Sequence, residues 1–356
     1  MKQYKIIRNT NNNFKENSSR TQLPLITIGI TCFNAENTIE NALKSAFSQD
    51  WQNLEVIVVD DNSTDNSLKI LKKWKKIKKK LKVIRNKKNR GCSYSRNTLI
   101  SKAKGFFIAF FDDDDISRFD RVRLQYNKLI LYENKKSINI VACFCSGKRI
   151  YSNGHKQIIK SVGVSGLPPK GLQMADYLLF FNRSKGVAYG AGVPTSALFI
   201  RTAILKQIGG FDENMRRQED VDLAIRLAFK GSHFIGIKQK VLTQYATISN
   251  DKTAEIEYQS SLFLINKFYN YLNKKGLYDY MKMWIRLKYM HFSSNDLNAF
   301  LILLKILIKY PIRTFRHFSK SALKRFLHEI MIYSSSKNLK FKKRFVKFLP
   351  QLLKPN

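Results

Sequence analysis

The sequence predicts an α/β protein: a mostly parallel sheet flanked by helices, followed by a basic helical C-terminal region. Three observations carry this. Short apolar, β-branched runs alternate with amphipathic segments from Pro24 onward. The clustered polar residues of the first half fall just after those runs. From about Asp251 the strand signals stop, and helical periodicity rich in lysine continues to Asn356.

Ile26 to Thr31 reads as a strand, and Asn34 with Glu36 then opens a helical pattern through Ile39, Ala42, Leu43 and Ala46. Leu54 to Val59 is a second strand, stopped by Asp60-Asp61-Asn62-Ser63, after which Leu68, Leu71 and Trp74 recur at helical spacing. Leu81 to Ile84 is a third strand, Tyr94 to Ala103 a helix, and Phe106 to Phe111 a fourth strand that runs into Asp112-Asp113-Asp114-Asp115. Glycine and proline interrupt the periodicity between Gly154 and Pro194, which predicts irregular structure there. Order returns with Ala203 to Ile208, the turn Gly209-Gly210-Phe211-Asp212 and a helix from Asp220 to Phe229. The expected division is a mobile polar tail over 1–23, a sheet domain over 24–245 and basic amphipathic helices over 246–356. In such a sheet ligands bind beyond the carboxyl ends of the strands. Three polar loops, at 31–34, 60–63 and 112–115, are placed to converge there.

A chain of 356 residues with 44% hydrophobic content has ample material for a core. Its 64 Lys and Arg against 26 Asp and Glu give a net charge of +38 and imply an anionic partner. From Tyr271 to Asn356 there are 19 Lys and Arg against 3 Asp and Glu, a local excess of +16. The four cysteines lack zinc spacing and suit a reducing compartment, with Cys143 and Cys145 on one face of a strand as core residues. The five histidines form no ligand spacing, and no Ser or Cys nucleophile motif is present. Residues 1–23 contain no apolar stretch like a signal-peptide core. Ala299 to Ile308 is too short to span a bilayer and is interrupted by Lys305, so no transmembrane helix is expected.

Against that positive background, Phe110-Phe111-Asp112-Asp113-Asp114-Asp115 is the most informative stretch. Four adjacent carboxylates repel one another, and a hard divalent cation would relieve the repulsion while presenting positive charge to a phosphate. The competing readings are a cap for a helix starting near Phe119 and a solvated loop.

Over Pro24 to Ile237, the ordered set of motifs resembles a family 2 glycosyltransferase of the nucleotide-sugar-dependent, Rossmann-like GT-A fold. The set comprises Thr31-Cys32-Phe33-Asn34, Glu55 to Asp65, Asn89-Arg90-Gly91 with Ser95-Arg96-Asn97, the Asp112 to Asp115 run, Gly210-Phe211-Asp212-Glu213 and Gln218-Glu219-Asp220. The resemblance implies that Thr31, Phe33 and Asn34 form the first nucleotide-contacting loop. It implies that Asp61 accepts from the base, usually uracil, with Asp60 structural; the alternative is that Asp60, Asn62 or Ser63 simply caps the helix beginning near Thr64. Asp112 and Asp114 become the signature pair toward Mn2+ or Mg2+ and the diphosphate, Asp114 the direct ligand, Asp115 supporting and Asp113 without a role. Arg96 falls where the family places an arginine near the nucleotide, against the alternative of an ordinary surface arginine among 64 cations. Asp220 is the expected catalytic base, with Glu219 its neighbour; helix-dipole complementarity is the bland alternative and is preferred for Asp222.

The activity so implied is inverting, metal-dependent transfer of one hexosyl or N-acetylhexosaminyl unit from a nucleotide sugar, UDP-linked by preference. The acceptor is a glycan or lipid-linked glycan in bacterial cell-surface polysaccharide assembly. No Gln-x-x-Arg-Trp motif is present, which argues against a processive synthase. Ile312, Phe315, Phe318, Ala322, Phe326 and Ile330, and then Leu339, Phe341, Phe345, Phe348, Leu349 and Leu352, alternate with basic residues in a way that suits helices at an anionic membrane surface. The alternative is packing on the catalytic domain. The expected location is cytoplasmic, peripheral at the inner membrane. A basic nucleic-acid-binding protein explains the charge but not the acids, and no nucleic acid is expected as partner. A nucleotidyltransferase of related fold is the other alternative.

Overall fold

The computed structural model describes residues 23–246, 253–315 and 317. Its first third is the predicted alternation: β1 (Ile26–Cys32), α1 (Ile39–Phe47), β2 (Leu54–Asp60), α2 (Ser67–Ile77), β3 (Leu81–Arg85), α3 (Cys92–Lys102) and β4 (Phe107–Asp112). All four strands are parallel in the order β3-β2-β1-β4. β1, at the centre, is buried along nearly its whole length, as its apolar run requires.

After β5 (Ile116–Ser117) and α4 (Arg121–Lys136) come β6 (Val141–Ile150), β7 (Lys156–Ile159), α5 (Leu172–Phe180), β8 (Leu198–Arg201), α6 (Thr202–Gln207), α7 (Glu219–Phe229) and β9 (His233–Tyr245). They extend the sheet as β4-β8-β6-β9-β5, with β7 on β6. This half is mixed: β8 lies antiparallel between β4 and β6, and β9 runs parallel to β6 through a register shift around Ser146. The shift bends the sheet. The interval expected to be irregular contains one short strand and one helix, β7 and α5. The residue before α5 is Gly171 at φ 48, so the glycine that looked like a breaker is the hinge into a helix.

α8 (Ala254–Lys267), α9 (Tyr269–Lys274), α10 (Tyr278–Phe292) and α11 (Asp296–Lys309) follow. Leu264, Ile265, Leu272, Tyr280, Met281 and Ile285 belong to the same buried cluster as Ile28, Val58 and Phe110. α8 to α10 therefore share a buried core with the sheet. Residues 1–22 of the expected tail, Phe318 to Ile330 and the Leu339 to Leu352 segment lie outside the described residues. Among the described residues no helix is long and apolar enough to cross a membrane.

Candidate active site

The parallel ladders fix what the strand ends can bring together. β1 and β4 are in register with Thr31 opposite Asp112, and β1 and β2 with Cys32 opposite Asp60. The loop after β1 is then tied to both neighbours. The Phe33 amide donates to Asp113 Oδ2 at 3.0 Å, and the Asn34 amide donates to Ser63 Oγ at 3.0 Å. Asn34, at φ 49, accepts from the Thr64 amide at 2.9 Å through its own side-chain oxygen. Phe33 itself stays 46% exposed, a ring left open beside the crevice.

Asp60 and Asp61 divide the work at the end of β2. Asp60 is fully buried, faces Arg85 at 3.3 Å and accepts from the Ser63 amide, a structural role. Asp61 accepts from Asn86 Nδ2 at 2.7 Å and from the Gly91 and Arg90 amides at 2.7 and 3.1 Å. Its carboxylate anchors the loop entering α3 rather than capping α2. The N-cap position of α2 is Asn66, beyond Asp60, Asn62 and Ser63. The Arg90 amide is shared between the two oxygens, at 3.1 and 3.2 Å, so each oxygen of this buried carboxylate accepts two contacts.

The acidic run splits. Asp112, Asp114 and Asp115 each offer an oxygen, and these lie within 4.8 Å of one another. Asp113 is turned instead to the Phe33 amide. β5 stands between the run and α4, whose N-cap is Asp120, paired with Arg118 at 2.6 Å, so the run caps no helix. Asp115 is buried and accepts from Gln244 Nε2 at 3.3 Å, at the end of β9. Burial, then the charges of Asp112 and Asp114, push it up to about 8. Burial likewise pushes Asp113 up to about 8. Beneath the run, the fully buried Arg121 donates to the Phe110 carbonyl at 2.9 Å and lies 4.3 Å from the Phe111 ring centre, fixing the strand that delivers the acids. An all-oxygen set of three carboxylates is the ligand chemistry of Mg2+ or Mn2+.

The other rim is α7. Arg96 on α3 is buried and reaches both rims: Nη1 meets Glu219 Oε1 at 2.7 Å, and Nη2 lies 3.6 Å from Asp112 Oδ1. α3 reaches this position because Gly29 lets Leu99, one turn beyond Arg96, sit directly on β1; any side chain at 29 would occupy the space of Leu99. Asn97 takes hold of the turn before α7, accepting from the Phe211 amide at 2.7 Å and donating to its carbonyl at 2.9 Å. Gly210, at φ 68 against Asn97, admits no Cβ. Gln218, the N-cap of α7 at φ 63, donates to Glu257 at 2.9 Å and Ser261 at 2.6 Å on α8. Lys267 of α8 meets Asp212 at 2.6 Å and Asp222 at 2.7 Å, and Arg226 meets Asp222 at 2.8 Å. Asp220 accepts from the Val221 amide at 2.8 Å. Burial, with the charge of Glu219 adding to it, pushes Asp220 up to about 7, the range of a group that exchanges protons at neutral pH.

The expected residues Thr31, Phe33, Asp61, Arg96, Asp112, Asp114, Glu219 and Asp220 thus all stand on strand-end loops or helix starts that Arg96 and the sheet register join. Arg96 is not a surface arginine. Asn34 presents its side-chain oxygen to Thr64 rather than to open space. Sequence reasoning gave Asp113 no role, ranked Asp115 as supporting, and missed Asn86 and Gln244 altogether. Asn86 had one legible signal, a polar residue at the carboxyl end of β3; Gln244, 129 residues from Asp115, had none.

Residues 27–205 match the model of Glycosyl transferase family 2. The chain is 31% identical over 153 residues to the Escherichia coli UDP-Glc:alpha-D-GlcNAc-diphosphoundecaprenol beta-1,3-glucosyltransferase WfgD, covering 40% of this chain and 58% of the relative. It is 33% identical over 102 residues to a putative teichuronic acid biosynthesis glycosyltransferase, TuaG, of Bacillus subtilis, covering 29% of this chain and 40% of the relative. The matches span about half the length of these curated relatives. Among solved structures, S. aureus TarS 1-349 in complex with UDP is similar in fold, with a TM-score of 0.51, 21% identity, and coverage of 76% of this chain and 73% of that one.

Proposed function

This chain belongs to glycosyl transferase family 2, and from that premise we propose that it moves a single sugar, with inversion, from a UDP-linked donor to a hydroxyl of a glycan or lipid-linked acceptor in bacterial surface-polysaccharide assembly. The observation that carries the reading is Arg96 bridging Asp112 and Glu219. It holds a carboxylate cluster suited to a diphosphate and a carboxylate pair suited to a hydroxyl on either side of one guanidinium.

Each residue then has a task. The Phe33 ring offers a stacking face for a base, and Asp61 would accept from that base in exchange for one of its two contacts with the Arg90 amide. Asp112, Asp114 and Asp115 would hold Mn2+ or Mg2+, which when bound supplies positive charge to the departing diphosphate. Arg96 places further positive charge between the two rims. Asp220, when ionised, takes the proton of the acceptor hydroxyl as that oxygen attacks the anomeric carbon from the face opposite the diphosphate. The relative that acts on a diphosphoundecaprenol-linked sugar favours a lipid-linked acceptor.

The test is release of nucleoside diphosphate by the purified chain with Mn2+ across a panel of donors. Asp114→Ala is expected to lower turnover by about 100-fold or more, since loss of one ligand weakens the charge that faces the leaving group. Wild-type turnover in that variant would remove the metal assignment, and pyrophosphate as product would replace the reading with a nucleotidyltransferase.

A further inference from the structure

α11 is apolar around most of its circumference, with the sequence Asp-Leu-Asn-Ala-Phe-Leu-Ile-Leu-Leu-Lys-Ile-Leu-Ile-Lys. The face carrying Ala299 and Ile306 is buried where the helix packs on α10. Among the described residues nothing covers the opposite face. Leu297, Leu301, Leu304 and Ile308 stand at i, i+4, i+7 and i+11, one line along the helix, and are exposed, Leu297 by 71% and Ile308 by 83%. Phe300 and Leu307 flank that line and are exposed as well, and so are Ile312 and Phe315 in the helical residues just beyond. A contiguous aliphatic surface of this kind marks a place where something apolar is to be met, since a helix apolar all round is ordinarily covered all round.

The charge beside it says what meets it. Lys305 and Lys309, four residues apart, form an exposed basic row along one flank of the stripe, Lys309 lying 3.8 Å from Asp279; Arg313, past the end of α11, is exposed with its guanidinium 5.8 Å from the Tyr280 ring. From Tyr271 to Asn356 the chain carries 19 Lys and Arg against 3 Asp and Glu. A second copy of a chain of net charge +38 would bring two such rows together, so self-association through this face is opposed by its own charge. The helix is also not a span: no described helix is long and apolar enough. An apolar stripe with a basic row beside it is the pattern of a helix lying in the plane of an anionic bilayer, side chains among the acyl chains and ammonium groups at the lipid phosphates.

We infer that the outward face of α11 docks this protein onto an anionic lipid surface, with Leu297, Leu301, Leu304 and Ile308 entering the interface and Lys305, Lys309 and Arg313 meeting the headgroups. The inference does not depend on the transferase reading, because docking needs no donor sugar. Where both hold, the crevice works beside a membrane that carries lipid-linked acceptors.

The experiment is flotation of the full chain with vesicles of phosphatidylglycerol and phosphatidylcholine, against vesicles of phosphatidylcholine alone. Wild type is expected to float with the anionic vesicles and to be released by high salt. Leu304→Glu with Ile308→Glu should lower vesicle affinity by about tenfold or more, with thermal melting and nucleoside diphosphate release on a soluble acceptor unchanged. Should that pair disturb folding, Lys305→Gln with Lys309→Gln serves instead: affinity for anionic vesicles drops about tenfold and melting is unaffected. Failure of wild type to float overturns the inference. Undiminished flotation of the Glu pair overturns it too, since the basic residues beyond 317 would then suffice. Wild-type dimers that the Glu pair converts to monomers, with flotation unaltered, would assign the face to a second copy.

Discussion

The two rims of the crevice hold their carboxylates by different means. On the nucleotide rim the ties are mostly between loops that the parallel ladder already sets side by side: Asn34 with Ser63 and Thr64, Glu36 with Asp65 and Asn66, Phe33 with Asp113. On the α7 rim they come from elsewhere in the chain: Arg96 to Glu219, Asn97 to Phe211, Ser93 to Met215, and α8 to Gln218, Asp212 and Asp222. The first arrangement is redundant, because the backbone register survives loss of one side chain. The second has few substitutes, because a helix start is free to shift when the side chain that pins it is removed. The lesson is that the rim proposed for the donor is built to be rigid and the rim proposed for the acceptor to be placed.

The largest effect expected on the α7 rim is that of Asp220→Asn, a drop in kcat of about 100- to 10,000-fold, the usual contribution of a general base. A pH profile sharpens the assignment. Asp220 is held up to about 7, so its carboxylate is protonated below that value and ionised above it. Activity should therefore fall with unit slope as pH drops below about 7 and level off above. A profile flat down to pH 5 would move the base elsewhere.

Arg96→Lys tests the link between the rims. A lysine keeps the charge but has no fork with which to meet Glu219 and Asp112 together. A fall in kcat of about 10- to 100-fold is expected, with little change in donor KM, because the Phe33 and Asp61 side of the site is untouched. A change confined to KM would make Arg96 a nucleotide contact and dissolve the bridge.

The contrast between rims also explains what the sequence could reveal. β1 to β4 and their polar ends were legible because each unit is local, an apolar run followed by Asp, Asn or Ser, and parallel topology does the rest. Asp112 and Asp114 stood out because acids are scarce in this chain. Nothing local marks Arg96 among 64 Lys and Arg as a buried one, since burial follows from Gly29 admitting Leu99 and from Glu219, 123 residues later. The antiparallel insertion of β8 and the clamp of Gln244 on Asp115 depend on segments over a hundred residues from the strands they meet or nearly so, and no spacing rule reaches that far. α5 was hidden behind Gly171 for the same reason in miniature: glycine reads as a breaker until its φ is known.

The smallest expected effects set the two rims against each other directly. Lys267→Met removes the cation shared by Asp212 and the fully buried Asp222, leaving Asp222 to Arg226. A stability loss of about 1 to 3 kcal/mol follows from leaving a buried charge less well paired. A fall in activity of about tenfold is expected as the start of α7 loosens. Asn34→Gly removes the side-chain brace to Thr64 while accommodating φ 49, which an alanine would not tolerate as well. The Asn34 amide still has Ser63, the Ala35 amide still has Ser67 and the Glu36 amide still has Asp65, so the loop has three other ties. Its cost should stay near 1 kcal/mol, about the net contribution of one hydrogen bond, with activity within about threefold of wild type. Thermal melts and donor titrations on the two variants decide the matter. If Asn34→Gly proves the more damaging, the nucleotide rim depends on single side chains after all, and redundancy is not what separates the two halves of the crevice.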